Sequence, residues 1–323
     1  MKTILQTLFV ALFTTSVMAQ SPVSALIPLP NKIEICPKGT TFKINKKSAI
    51  KTTLAHDSYC IKELQRSIEK HTGAAVPVAE KGNIIIEIDK ALQGSEHYTI
   101  TITPKSIQIK GSTETAILRA VQTMEQIMLG DYINSASKKI ACLSIDDQPR
   151  YHHRAIMIDP ARHFIPVADI KFFIDQIAKY KYNILQLHLT DDQGWRIEIP
   201  EYPLLTEVGA IRSGSFTSPG DGSKFFDDTE YGRGLWFSQD DLREIVEYAG
   251  KLNIDILPEI DMPGHMVAAV ASYPHLGCFN KQCEVMKTWG VSRDVLCMGK
   301  ESTFEFVEGA DTFIAEAFDA TAL

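Results

Sequence analysis

Each of several absences in this sequence removes a class of function. No run of lysine and arginine occurs in its 323 residues, and the formal net charge is -7, whereas a nucleic-acid binder carries a basic stripe or patch. After residue 19 no apolar run reaches the roughly 20 residues that a membrane-spanning helix needs. The six cysteines include no C-x-x-C pair and are joined by no histidine repeat, so their spacing offers no zinc site. The first part of the chain, up to Asp147, has no glycine-rich phosphate loop. What remains is an ordinary globular composition, 45% apolar and 23% charged, with length for two domains and a neutral or weakly charged partner.

Residues 1–19 carry a single Lys2, an apolar core from Ile4 to Phe13 and the small-residue ending Val17-Met18-Ala19. That is the pattern of a secretory signal peptide cut before Gln20; an uncleaved anchor is the alternative. No cysteine follows the cut, so no lipid attachment is indicated there. The mature protein is expected to be exported, periplasmic or secreted, and free of the membrane. Export makes Cys36, Cys60, Cys142, Cys278, Cys283 and Cys297 candidates for disulfides, with buried thiols as the other reading for some of them.

Residues 20–147 read as a small α+β accessory domain. Lys32–Ile35, Thr41–Ile44, Ile84–Ile88, Tyr98–Thr103 and Ser106–Lys110 have strand character. Ile61–His71 and Thr115–Leu129 carry apolar residues at helical spacing. A largely antiparallel sheet is expected. Asp146-Asp147-Gln148-Pro149 marks the boundary to a second unit, residues 148–323.

The second unit is organised around the stretch ILQLHLTDDQGWRIEI, residues 184–199. Leu185, Leu187 and Leu189 alternate with Gln186, His188 and Thr190, which predicts a strand with one apolar and one polar face. It is preceded by Ala155–Ile158, expected as a buried strand, and by an amphipathic helix over 167–181. A βαβ unit with parallel strands follows. Ser238 caps another helix face made by Leu242, Ile245, Val246 and Ala249, and Ile254–Ile260 reads as a third strand. Each strand ends in charged groups: Asp159 and Arg162, then Asp191 and Asp192, then Glu259, Asp261 and His265. One such cluster reads as a solvated turn, and Arg162 alone reads equally well as a partner for a neighbouring Asp. Convergence from three strand ends is the arrangement in which α/β enzymes hold their sites.

RAIMIDPARHFIP, HLTDDQGWRIEI and LPEIDMPGH resemble, in order, the first three strand-and-loop segments of glycoside hydrolase family 20, the β-N-acetylhexosaminidases. The resemblance implies a small N-terminal α/β domain followed by a (β/α)8 TIM barrel. It implies exo-acting removal of terminal non-reducing GlcNAc or GalNAc from β-linked glycans, with retention, the substrate's own acetamido group being the nucleophile. By match to the family's motifs, Arg162 would hold sugar hydroxyls with Asp159 as its partner. Asp191 and His265 would relay charge to an acid/base Glu. Asp192, Glu259 and Asp261 are the further substrate-binding candidates, and Cys278 with Cys297 is the pair the family's habit would bridge. No cofactor or metal is implied.

One departure stands out. The family's fourth-strand motif H-x-G-G-D-E, which carries the acetamido-orienting Asp and the acid/base Glu, does not occur in these 323 residues. The part from Arg150 is also shorter than the roughly 250 residues of a full barrel. The expectation is therefore a barrel represented by about its first three βα units, through a truncated gene, a frameshift or an incomplete sequence. Such a chain would be inactive alone, or a glycan-binding remnant.

Overall fold

Branched residues at every second position build the first sheet. In the computed structural model, which describes residues 26–130, 133–134, 136–216 and 226–318, the first unit contains β1 (Lys32–Ile35), β2 (Thr41–Lys43), β3 (Ile50–Thr52), α1 (Tyr59–Thr72), β4 (Ile84–Ile88), β5 (Tyr98–Ile102), β6 (Ile107–Gly111), α2 (Glu114–Leu129), β7 (Ile133–Asn134), β8 (Lys139–Ala141) and β9 (Leu143–Asp147). The leader read at residues 1–19 lies outside the described residues. Six strands form one sheet in the order β1-β9-β5-β6-β4-β3. Its first three pairings are antiparallel and its last two parallel, so the sheet is more mixed than expected. Ile84, Ile86, Ile100, Ile102, Ile107 and Ile109 turn inward on alternating positions and meet the apolar stripes of α1 and α2. A smaller antiparallel sheet, β2-β8-β7, completes this unit.

The second unit contains β10 (Ala155–Ile158), α3 (Val167–Lys179), β11 (Ile184–Asp191), β12 (Gly194–Trp195), α4 (Leu204–Glu207), β13 (Ser215–Phe216), β14 (Phe226–Asp227), α5 (Gln239–Gly250), β15 (Asp255–Ile260), α6 (Val267–Ser272) and α7 (Glu301–Phe318). β10 and β15 flank β11, and both pair with it in parallel. The helix expected between the first two strands is α3, which buries Ile170, Ile174, Ile177 and Ala178. Ser238 caps α5 as expected, in a reciprocal capping box with Asp241.

Two expectations change here. Ala155–Ile158 is only half-buried, with Met157 50% exposed, because β10 is an outer strand bonded among the described residues to β11 alone. The polar side of β11, expected to be open for chemistry, is closed to water at His188 and Thr190, since β11 is the central strand.

Asp146-Asp147, expected as a boundary, are the last two residues of β9. The Asp147 carboxylate is buried between the two units, where it accepts bonds from Tyr98 at 2.7 Å and from Lys181 at 3.0 Å. Beside it, Glu96 takes Arg119 from α2 at 2.6 Å and Arg154 from just before β10 at 2.7 Å. Arg119 continues to the carbonyl of Asn253 at 3.1 Å. Burial pushes the Lys181 ammonium down from its ordinary value, and Asp147 works against that. Removing one member of a buried pair leaves the other charge unmatched, so Lys181→Ala is expected to cost about 3–5 kcal/mol. Urea unfolding of variant and parent would measure it.

Candidate active site

The C-terminal ends of β10, β11 and β15 place their charged residues in one row. Asp159 follows β10 and turns back to accept the N–H of Arg162 at 3.0 Å, while the guanidinium bonds its carboxylate at 2.5 Å. The same guanidinium reaches Asp191, at the end of β11, at 2.5 Å. His188 lies one turn of the pleat back on β11 and contacts Asp191 through Nε2 at 2.7 Å and Glu259 of β15 through Nδ1 at 3.2 Å. Gln186 donates a second bond to Glu259. The other oxygen of Asp191 accepts the N–H of Asp192 at 2.6 Å and lies 3.1 Å from Nδ1 of His265. A carboxylate can only accept, so Nδ1 of His265 carries the proton and Nε2 turns away from Asp191. His265 holds a left-handed backbone, φ 56°, unusual for a residue with a side chain and a frequent mark of functional sites.

The two adjacent aspartates have opposite electrostatics. Burial works against ionising Asp191, yet bonds from His188 and the Asp192 N–H, together with Arg162 and His265, hold its carboxyl below the usual range. Burial and the neighbouring Asp191 charge raise that of Asp192. Asp192 is 1% exposed and bonds inward, to the N–H of Val267 at 3.1 Å. Among the described residues its second oxygen has no hydrogen-bond partner, and Nδ1 of His265 stands 3.8 Å from it. Asp261 is half-buried at the end of β15 and joins none of these bonds among the described residues.

Asp191, Asp192 and His265 bring ligand-type atoms within 4.8 Å of one another. A cation there would have to displace Arg162, His188 and His265 from the Asp191 oxygens, so the cluster fits an ion-pair network better than a metal site. Cys278 and Cys297 are separate thiols whose side chains share a hydrogen bond. That contact lowers the Cys297 thiol and raises that of Cys278. The bridge expected between them is not made in this structure, although the sulfurs are neighbours.

Three residues that the sequence reading passed over hold the loops around this row. Arg196, fully buried, donates to the carbonyls of Ala161 at 3.1 Å, Ala210 at 2.7 Å and Leu235 at 3.1 Å, and burial pushes its guanidinium down to about 10. Arg212 donates to the carbonyls of Arg162 and Gln193 and lies 4.2 Å from the ring centre of Tyr231. The Tyr231 hydroxyl accepts the N–H of Phe164 at 2.8 Å. Two glycines make room for Arg196: a Cβ on Gly194 would lie 2.4 Å from its Nη2, and one on Gly232, φ +105°, would lie 1.8 Å from the Ala210 oxygen. Those glycines, next to a Trp-Arg and an Arg-Gly step, were the available signal. His188, placed on the polar face of its strand, was not named among the site residues.

Comparison with known proteins bears on this geometry. Residues 151–323 match the model of "Glycosyl hydrolase family 20, catalytic domain", and residues 23–148 that of "Glycosyl hydrolase family 20, domain 2". The chain belongs to glycosyl hydrolase family 20. Among family 20 relatives, a beta-hexosaminidase of Porphyromonas gingivalis is 33% identical over 306 residues, covering 92% of this chain and 38% of the relative. One of Akkermansia muciniphila is 40% identical over 213 residues, 66% of this chain and 41% of the relative. In structure the chain is similar to the N-acetyl-beta-hexosaminidase of Streptomyces plicatus in complex with Thio-NAglucal, with a TM-score of 0.75 and 30% identity over 93% of this chain and 58% of that one. It is also similar to the family 20 exo beta-N-acetylglucosaminidase of Vibrio harveyi in complex with N-acetylglucosamine, with a TM-score of 0.75 and 28% identity, covering 92% of this chain and 46% of that one. The chain thus spans less than two thirds of each of these relatives.

Because its pKa is depressed on folding, Asp191 contributes stability above the ordinary carboxylate value of about 3.9 and loses it as pH falls through the lower folded value. Asp191→Asn is expected to cost about 1.5–3 kcal/mol near neutral pH, since it removes the buried anion that faces Arg162 and His188. In urea titrations the gap between variant and parent should close as the solution is taken below about pH 4.

Proposed function

We propose that this chain supplies the sugar-holding and relay part of an exo-acting β-N-acetylhexosaminidase site, which removes terminal GlcNAc or GalNAc from β-linked glycans by a retaining, substrate-assisted mechanism. The observation that carries the reading is the convergence of Arg162 and His265 on the one carboxylate of Asp191, from three different strand ends. Arg162, fixed by Asp159, presents its partly exposed guanidinium for paired sugar hydroxyls. Asp191 fixes the tautomer of His265, so that Nε2 can accept a bond from the acid/base group and steady its charge as it cycles. Asp261 is the acid of β15 left to meet a hydroxyl. Asp192 and Glu259 act through the neighbours they hold.

The names of the relatives support the glycan class: the Porphyromonas and Akkermansia proteins are beta-hexosaminidases, and the Vibrio harveyi structure holds N-acetylglucosamine. No helix among the described residues is long and apolar enough to cross a membrane, and the signal-like stretch at residues 1–19 supports export. The small-domain and barrel division near residues 147–148 follows the same reading.

Asp159 and Asp191 are held by Arg162, Glu259 accepts a bond from Gln186 and faces the His188 ring at 3.2 Å, and the family's H-x-G-G-D-E motif with its acid does not occur in the 323 residues. The 323-residue chain alone is therefore expected to show no turnover of an aryl β-N-acetylglucosaminide, because a positioned general acid contributes about 10²–10⁴-fold. Turnover that survives purification and disappears in Glu259→Gln would assign the acid to Glu259 instead.

In a protein extended to the length of the relatives, Arg162→Ala should lower kcat/KM about 10- to 150-fold, the equivalent of a lost charge-assisted contact of about 1.5–3 kcal/mol. Unchanged kcat and KM in a folded variant would remove Arg162 from the site.

A further inference from the structure

We propose that His188 is an imidazolium at neutral pH and the positioning residue that keeps Asp191 ionised and aimed at His265. The ring is buried in the middle of the site with a carboxylate at each nitrogen: Asp191 at 2.7 Å from Nε2 and Glu259 at 3.2 Å from Nδ1. An ionised carboxylate offers lone pairs and no proton, and a neutral imidazole has one N–H. The neutral ring would therefore leave one of its nitrogens presenting a lone pair to a carboxylate oxygen. The imidazolium donates to Asp191 and sets its charge beside Glu259.

Gln186 donates to the second Glu259 oxygen, which leaves the first facing the ring at 3.2 Å.

Counting charge along the row leads to the same assignment. Asp159, Arg162, Asp191, His188 and Glu259 follow one another in contact across the three strand ends. With His188 neutral, three carboxylates share one guanidinium; with His188 protonated, the signs alternate along the whole row. The groups that face the ring are Asp191 on its own strand, Glu259 from β15 and Asp159 from the end of β10, with Arg162 beyond Asp191. Burial disfavours the charged ring, and these carboxylates outweigh it, so its proton affinity is raised.

The bond has a geometric effect on Asp191. Its Oδ2 is shared by Arg162 and His188, which leaves Oδ1 to the Asp192 N–H and to His265. A carboxylate held on one oxygen by two cations cannot rotate freely, so the oxygen that meets His265 is fixed. The value of that aim for catalysis rests on the function proposed above; the protonation state of His188 does not.

The test is nitrogen-15 NMR of the 323-residue chain labelled at histidine. His188 should show two ring N–H groups at neutral pH, with a titration midpoint above the one it has in denaturing urea. Glu259→Gln, which removes one carboxylate and keeps the shape, should shift that midpoint down. In His188→Gln, the His265 Nδ1–H resonance should move and its midpoint should change. A ring carrying one proton at neutral pH, or a midpoint indifferent to Glu259→Gln, would overturn the imidazolium. A His265 signal unmoved by His188→Gln in a folded protein would overturn the positioning role. Loss of hexosaminidase activity from a full-length protein with its residues intact would count against the proposed function alone, since the His188 spectrum is read without substrate.

Discussion

Burying an ionised carboxylate is the constraint around which the second unit is arranged. Asp191 is almost wholly removed from water, and an isolated carboxylate would neutralise there instead of staying charged. The chain meets that cost with donors gathered from three strands: Arg162 from the turn after β10, the His188 ring from β11 itself and His265 from beyond β15. The parallel register of β10, β11 and β15 is therefore what makes the charge tolerable, and the charge in turn pins the three ends together.

A second layer keeps those ends from drifting. Arg196 binds carbonyls from three separated segments, and Tyr231 lies under two guanidiniums while accepting the N–H of Phe164. Neither group reaches the carboxylate row directly. They satisfy backbone groups that would otherwise be buried without partners where the loops leave the sheet, and so they fix where Arg162 can stand.

Much of this was legible in the sequence, and what was missed has a physical reason. Periodicity found Ile84–Ile88 and both ends of the βαβ unit, because a leucine face and a helical stripe leave a repeating signature. The residues Asp159, Arg162, Asp191 and His265 were found because charges at strand ends are conspicuous. His188 was not, since it sits within the strand and not at its charged end; only the placement of β11 between two others brings it against Glu259. Arg196 and Arg212 bind carbonyls far away in sequence, and no local pattern encodes that. The half-exposed β10 could not be read from its four apolar residues, because their burial depends on what lies on the other side of the strand. The Asp146-Asp147 pair looked like a hydrophilic joint, yet Asp147 is buried where the two units meet.

That last placement changes what the first unit is for. Lys181 stands three residues before β11, at the opposite end of that strand from Asp191, and its ammonium is held by Asp147 and Tyr98 of the first unit. Arg154, just ahead of β10, is held by Glu96 in the same way. The first unit therefore acts as a footing: it grips two neighbouring strands at their roots, at the opposite ends from the carboxylate row. A protein cut between the units would present stranded charges on both faces of the cut. The two units are fitted to each other at a single charged joint.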